Sequence, residues 1–255
     1  MEKEIITSLN NRMVKEVREL VRKGRTRKER GLFVAEGERL CLEIPEGRLE
    51  RLFVSEHYHG RLPALEAPAV TVSEEVMASM SDTKTAQGVL AIVREKLYDN
   101  FSGDFFLILE NIQDPGNLGT MFRTAEAAGV SGILMSGGCV DVFSPKVVRS
   151  AMGSVFRVPF RITEDLGEEL DRLRTRGVRL FAAHLDGKRR HFEASFRGPS
   201  GILIGNEANG LCRETAACAD ELLRIPMHGK TESLNASQAA AVLLYEVLRQ
   251  RESSI

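Results

Sequence analysis

Apolar positions recur at helical spacing at the start of the chain and as short strand-length runs further on. Leu9, Met13, Val17, Leu20 and Val21 share one face of a helix predicted over Ile5 to Lys23. A basic stretch from Arg22 to Lys28 follows, and Leu32-Phe33-Val34 then reads as a strand entering a helix near Glu36-Gly37. Arg51 to Ser55 and Gly88 to Val93 also read as strands. The polar segment from Arg94 to Gly103, with Asp99-Asn100 and Ser102-Gly103, has linker composition. It divides the chain into residues 1–96, a linker at 97–103, and residues 104–255.

Beyond the linker, short apolar runs alternate with helical stretches. Phe105 to Leu109 is a buried strand, and a helix from Asn117 to Ala128 ends where Gly129 suits a helix C-terminus. Val130 to Met135, Val155 to Phe160, Val178 to Ala183, Ile202 to Ile204 and Leu222 to Ile225 supply further strands. The last helix spans Asn235 to Arg249, with Asn235 and Gln238 spaced as a cap and its partner. Strands alternating with helices predict an α/β domain whose parallel sheet is covered on both faces.

A hydrophobic fraction of 43% and a charged fraction of 28% over 255 residues are those of a globular chain. The net charge of −1 hides a basic segment: residues 1–30 hold ten Lys/Arg against five Asp/Glu. Cys41, Cys139, Cys212 and Cys218 form no C-x-x-C pair, and the five histidines, including His57 and His59, lack metal-ligand spacing, so no metal is expected. No secretion-type apolar segment or bilayer-length run is present, and a cytoplasmic protein is expected. That expectation leaves the Asn235-Ala236-Ser237 sequon without a role. Gly229-Lys230-Thr231 imitates the end of a phosphate-binding loop, but Arg224 stands where the first glycine is needed, and no G-x-G-x-x-G follows a strand. A nucleotide-like cofactor would have to be held by another loop design.

Three polar clusters follow strands, the edge at which open α/β sheets bind ligands. The first is Asn111-Ile112-Gln113-Asp114-Pro115-Gly116-Asn117-Leu118-Gly119, leading into a helix whose stripe is Leu118, Met121, Phe122 and Ala125, with Arg123 pointing away. By spacing alone Arg123 reads as a solvated helix residue. The second is Ile204-Gly205-Asn206-Glu207-Ala208-Asn209-Gly210, a form shared by many strand-to-helix turns. The third runs from Ile225 through Pro226, Met227, His228 and Gly229 to Ser233, Leu234, Asn235, Ala236 and Ser237. A capped, buried helix accounts for it equally well.

In this order and at these separations the clusters resemble those of the SpoU (TrmH) family of RNA ribose methyltransferases, over residues 104–250. Ile225 to Ser237, with Ala239-Ala240 and Tyr245-Glu246, is similar to the family's third motif almost letter for letter. Phe33-Val34-Ala35-Glu36-Gly37 is similar to the small RNA-binding domain that precedes many catalytic domains of the family. The resemblance implies a trefoil-knotted α/β methyltransferase domain, a homodimer, and S-adenosylmethionine as cofactor. It places Arg123 at the catalytic centre with Asn111, Glu207, Ser233 and Asn235, and the cofactor against Gly205, Ile225, Met227, Ser233, Leu234, Ala183 and Leu185. The basic segment, with Arg22, Lys23, Arg25, Arg27 and Lys28, becomes an arm for RNA phosphates.

The implied reaction is attack of a ribose 2′-hydroxyl on a sulfonium methyl. Accounts of the family often make the arginine a base. A guanidinium stays protonated, so the expected role of Arg123 is to hold a phosphate and stabilise developing alkoxide charge. The added N-terminal region favours ribosomal RNA as substrate. A transfer RNA ribose methyltransferase, or a non-catalytic RNA-binding protein on the same fold, are the alternatives.

Overall fold

In the computed structural model, residues 4–63, 69–99 and 102–253 are described. Positions 100 and 101 of the expected linker lie outside them. The chain divides into two compact units, Met1–Lys96 with Asp141–Phe156, and Leu97–Val140 with Arg157–Ile255.

In chain order the first unit contains β1 (Ile5–Ile6), α1 (Arg12–Arg22), α2 (Gly24–Arg30), β2 (Leu32–Glu36), α3 (Glu38–Leu42), β3 (Leu49–Ser55), β4 (Val70–Val72), α4 (Glu74–Met80) and β5 (Val89–Arg94). Its five strands form one mixed sheet in the order β1-β4-β3-β5-β2. The first helix begins at Arg12, later than the apolar spacing predicts. Ile5 and Ile6 pair in parallel with Thr71 and Val72, and the Asn11 side chain accepts the Met13 N–H at 2.8 Å, capping α1. Val14, Val17 and Leu20 then bury one helix face against Phe53, Met77 and Met80.

The basic stretch is itself helical and carries a correction to its expected role. Arg27 is only 5% exposed. Its guanidinium pairs with Asp141 at 2.6 Å and donates to the Leu20 and Val21 carbonyls at 2.6 and 3.1 Å. Arg27 is therefore a buried structural pin and does not present its charge to RNA.

The second unit opens with β6 (Phe105–Leu109), α5 (Pro115–Ala127) and β7 (Gly132–Ser136). The chain next supplies α6 (Pro145–Ala151) and α7 (Ser154–Arg157), which lie in the Asp141–Phe156 segment of the first unit up to Phe156. The strand expected over Val155 to Phe160 is thus helix at its start and strand only from Phe160. Val155 and Phe156 are buried, Phe156 lying 6.2 Å from the Phe33 ring, and Pro159 imposes extended backbone just before the strand.

Glu95, beside this packing, has its carboxyl pushed up to about 7, first by burial and next by Asp141, with Arg27 and Arg48 opposing. A carboxyl raised in the folded state holds its proton longer than in the unfolded chain. The stability it contributes is complete below about pH 4.5 and is lost as pH rises to about 7. Glu95→Gln is expected to raise stability by about 1–3 kcal/mol at pH 8 and by almost nothing near pH 4.5. Thermal unfolding at both pH values checks this, and a gain that ignores pH would refute it.

The second unit continues with β8 (Phe160–Thr163), α8 (Leu166–Thr175), β9 (Arg179–Ala183), β10 (Arg189–Arg190), β11 (Ser200–Ile204), α9 (Arg213–Ala217), β12 (Glu221–Arg224) and α10 (Ala236–Glu252). Its seven strands run in the order β10-β12-β9-β11-β6-β7-β8, and every pairing is parallel. All residues of β6 and β11 are buried, as strands covered on both faces require. Leu166, Leu170 and Leu173 of α8 pack on Phe106, Ile108 and Leu203, while α10 packs against α5 and β11. The Asn235 cap forms through the Ser237 N–H at 2.9 Å. Gln238 is exposed and gives no reciprocal bond, so the expected capping pair is reduced to Asn235 alone. Among the described residues no helix is long and apolar enough to cross a membrane.

The sheet order fixes where a ligand belongs. From β6 the chain moves through α5 to β7 on one side; from β11 it moves through α9 to β12 on the other. The carboxyl ends of β6 and β11 therefore flank a topological switch point, where parallel sheets open a crevice.

Candidate active site

The first two clusters leave these adjacent strand ends, and hydrogen bonds interlock them. The Glu207 carboxylate accepts the Gln113 and Asp114 backbone N–H groups at 3.1 and 3.0 Å and the Asn117 side-chain amide at 3.1 Å. Burial raises the Glu207 carboxyl, but Asn117 and the two backbone donors outweigh it and hold it below the usual carboxylate range. Asp114 caps α5 by accepting the Asn117 N–H at 2.8 Å, with Pro115 in the first turn.

Asn117 brings in the third cluster. Its Oδ1 accepts from Asn235 Nδ2 at 3.0 Å and from the Ser237 hydroxyl at 3.3 Å. The single Ser237 hydroxyl proton is shared between that oxygen and Asn235 Oδ1, the nearer at 2.7 Å. A single side chain thus joins Glu207 to Asn235 across 90 and 118 residues of sequence. Asn117 is not among the catalytic residues that the resemblance implies. The Asp114-Pro115 start of a helix was the available signal, because it places Asn117 in the first turn with its amide at the strand ends.

Asn111 opens the first cluster and is held from two sides. Its backbone is left-handed, at φ 54°, and its side chain accepts from Ser136 Oγ at 3.1 Å, while Ser136 Oγ accepts its N–H at 2.9 Å. Its carbonyl receives Asn206 Nδ2 at 2.8 Å. Asn111 therefore braces the second cluster through its backbone, and the side-chain link between loops falls to Asn117.

Arg123 lies on α5 clear of the buried stripe of Leu118, Met121, Phe122 and Ala125, as its spacing predicts. It is exposed, and among the described residues its guanidinium has no hydrogen bond or ion pair. Ser233 is also exposed and stands outside the hydrogen-bonded network.

Gly205 is buried, and a Cβ there would fall 2.1 Å from the Gly210 carbonyl carbon and 2.2 Å from Leu211 N. The close approach that requires glycine is thus the chain's own return past β11, closed by the Asn206–Gly210 bridge. Ile225, Met227, Leu234 and Ala183 are half-buried, and Leu185 is 66% exposed. None of the backbone N–H groups from Met227 to Leu234 has a partner among the described residues.

In the first unit, Lys23 and Arg25 are exposed but pair with Glu19 and Glu29 at 2.9 and 2.6 Å. Arg22 and Lys28 are exposed, and their side chains are unpaired among the described residues.

Comparison with known proteins follows the same division. The model of the SpoU rRNA Methylase family matches residues 104–245, and that of the MRM3-like substrate binding domain matches residues 11–91. The chain belongs to the SpoU rRNA methylase family. It is 32% identical over 250 residues to the 23S rRNA (guanosine(2553)-2′-O)-methyltransferase RlmP of Bacillus subtilis, covering 95% of this chain and 98% of that protein. The crystal structure of the SpoU methyltransferase AviRb from Streptomyces viridochromogenes in complex with the cofactor AdoMet superposes with a TM-score of 0.85, at 27% identity, over 96% of this chain and 99% of that one. An AdoMet-bound rRNA methyltransferase from Sinorhizobium meliloti gives a TM-score of 0.84 at 32% identity, over 96% and 97%. The SpoU match spans all three interlocked clusters and Arg123.

Proposed function

We propose that this SpoU methylase transfers a methyl group from S-adenosylmethionine to a ribose 2′-hydroxyl of ribosomal RNA. The observation that carries the proposal is the joining of three loops through Asn117 at the switch point. The Bacillus subtilis relative named for 23S rRNA 2′-O-methylation, matched over nearly the whole chain, favours ribosomal over transfer RNA. We take residues 1–96 as the RNA-binding domain, 97–103 as the linker and 104–255 as the methyltransferase domain.

The residues present fit the cofactor. Met227 to Leu234 offer unpaired backbone donors. Ile225, Met227, Leu234, Ala183 and the exposed Leu185 offer apolar surface for a purine and a thioether. S-adenosylmethionine supplies, when bound, an electrophilic methyl on sulfur. Gly205, Ser233 and the third-cluster loop hold it; the fixed loops align the hydroxyl with the methyl. Arg123, its donors uncommitted, holds the neighbouring phosphate and stabilises charge growing on the ribose oxygen. The hydroxyl proton leaves to water or a neighbouring acceptor.

The same reading includes a trefoil knot, a homodimer and a cytoplasmic setting. Support for the knot comes from the close passage of distant chain segments at Gly187, whose Cβ would fall 2.6 Å from the Leu223 carbonyl carbon. Incubation with labelled S-adenosylmethionine and RNA, followed by nuclease digestion, should yield a 2′-O-methyl nucleoside; a base-methylated product would refute the reading. Arg22 and Lys28 are the arm's free cations, so RNA affinity should fall steeply with salt. Arg22→Ala/Lys28→Ala should lower the log–log salt slope by about 1–2. A slope unchanged by the double substitution would remove them from the RNA contact.

A further inference from the structure

The carboxylate of Glu110 has no part in the scheme above. It directly follows β6, is 6% exposed, and both its oxygens are engaged. Oε2 accepts the Cys212 backbone N–H at 2.7 Å. Oε1 accepts the Thr215 hydroxyl at 2.5 Å and the Cys212 thiol at 3.1 Å. Burial foremost, and then the Glu110 carboxylate, push the Cys212 thiol up, which keeps an S–H facing that oxygen.

The backbone of Glu110 acts on the same loop from its other end. Its N–H donates to the Ile204 carbonyl at 2.9 Å. Ile204 and Cys212 are the residues that flank loop 205–211, so one residue grips both ends of the segment that carries Glu207. Its neighbour Asn111 holds the middle, through the Asn206 amide at 2.8 Å. A buried carboxylate is costly unless its partners are fixed, and a site needing only to be filled would take an apolar side chain at less cost.

We propose that Glu110 is a positioning residue for methyl transfer: it sets the span of loop 205–211, and so holds Glu207 against Gln113, Asp114 and Asn117. The proposal rests on the methyl-transfer reading above. Glu110→Gln keeps the shape but turns one acceptor into an amide that faces the Cys212 N–H or the Thr215 hydroxyl. It is expected to lower kcat about tenfold while KM for S-adenosylmethionine and RNA moves less than about threefold. Glu207→Gln should then cost less in the Glu110→Gln background than in the unaltered enzyme, because the two act in one chain of contacts. A residue that served stability alone would show additive losses.

Hydrogen exchange supplies an arm independent of activity. The amides of Gln113, Asp114 and residues 205–212 should exchange about tenfold faster in Glu110→Gln than in the unaltered chain. Thr215→Val, which removes one donor and leaves the carboxylate, should shift kcat and exchange in the same direction by less, and it serves if Glu110→Gln does not fold. Unchanged kcat, additive losses or unchanged exchange in a folded variant would overturn the proposal. Should the unaltered protein transfer no methyl to any RNA, the functional reading fails, and the exchange measurement still decides whether Glu110 holds the loop.

Discussion

Arg123→Ala lowers kcat by about 10²–10³-fold and leaves the fold intact: that is the first expected result. Removing one preorganised donor from developing oxyanion charge costs this much in other enzymes. Stability should barely move, because Arg123 is exposed and has no partner among the described residues to lose. Arg123→Lys separates the roles. A lysine keeps the charge but loses the planar fork that can engage a phosphate and an alkoxide together. Its kcat should fall between the alanine variant and the unaltered enzyme. Nearly full activity in Arg123→Lys would show that only a point charge is needed and would remove the guanidinium-specific role. A large drop in melting temperature for Arg123→Ala would mean that the arginine is structural.

The second large effect is expected at Gly205. A Cβ there meets the Gly210 carbonyl carbon, Leu211 N and the Gly210 carbonyl oxygen at 2.1, 2.2 and 2.4 Å. All three are backbone atoms that cannot rotate aside, so Gly205→Ala must displace the loop itself. The displaced segment carries Asn206 and Glu207, which engage Asn111, Gln113, Asp114 and Asn117. Overpacking of this kind costs about 1–3 kcal/mol of stability. Activity should fall much further, by about 100-fold or more, since misplacement by about 1 Å has that effect on aligned reactants. Gly198→Ala is the control, because a Cβ at Gly198 meets nothing within 4 Å. Kinetics and thermal unfolding of the pair check the argument. Equal behaviour of the two variants would show that the loop yields without consequence.

The sequence was informative where apolar periodicity governs. The strand from Phe105 to Leu109, the stripe on α5 and the outward Arg123 follow from side-chain period and burial alone. Where polar residues find partners far away in the chain, periodicity gives no warning. Arg27 lies in a run without apolar pattern, and Asp141, 114 residues on, draws it inside together with the Leu20 and Val21 carbonyls. Asn117 looks like a turn residue until Glu207 and Asn235 arrive from two other loops. Val155 and Phe156 fit a strand by composition, yet they fill a core with Phe33 as part of a helix. The resemblance singled out the three clusters that the structure brings together, whereas the links among them, Asn111 bracing and Asn117 joining, required three dimensions.

The central claim is tested most directly by methyl transfer from radiolabelled S-adenosylmethionine to RNA from a strain lacking this protein, with ribosomal and transfer RNA assayed separately and the Arg123→Ala enzyme run in parallel. The expected result is label in ribosomal RNA, recovered as a 2′-O-methyl nucleoside and reduced to a small residue by the substitution. Label confined to transfer RNA, label recovered on a base, or equal transfer by the Arg123→Ala enzyme would contradict the account.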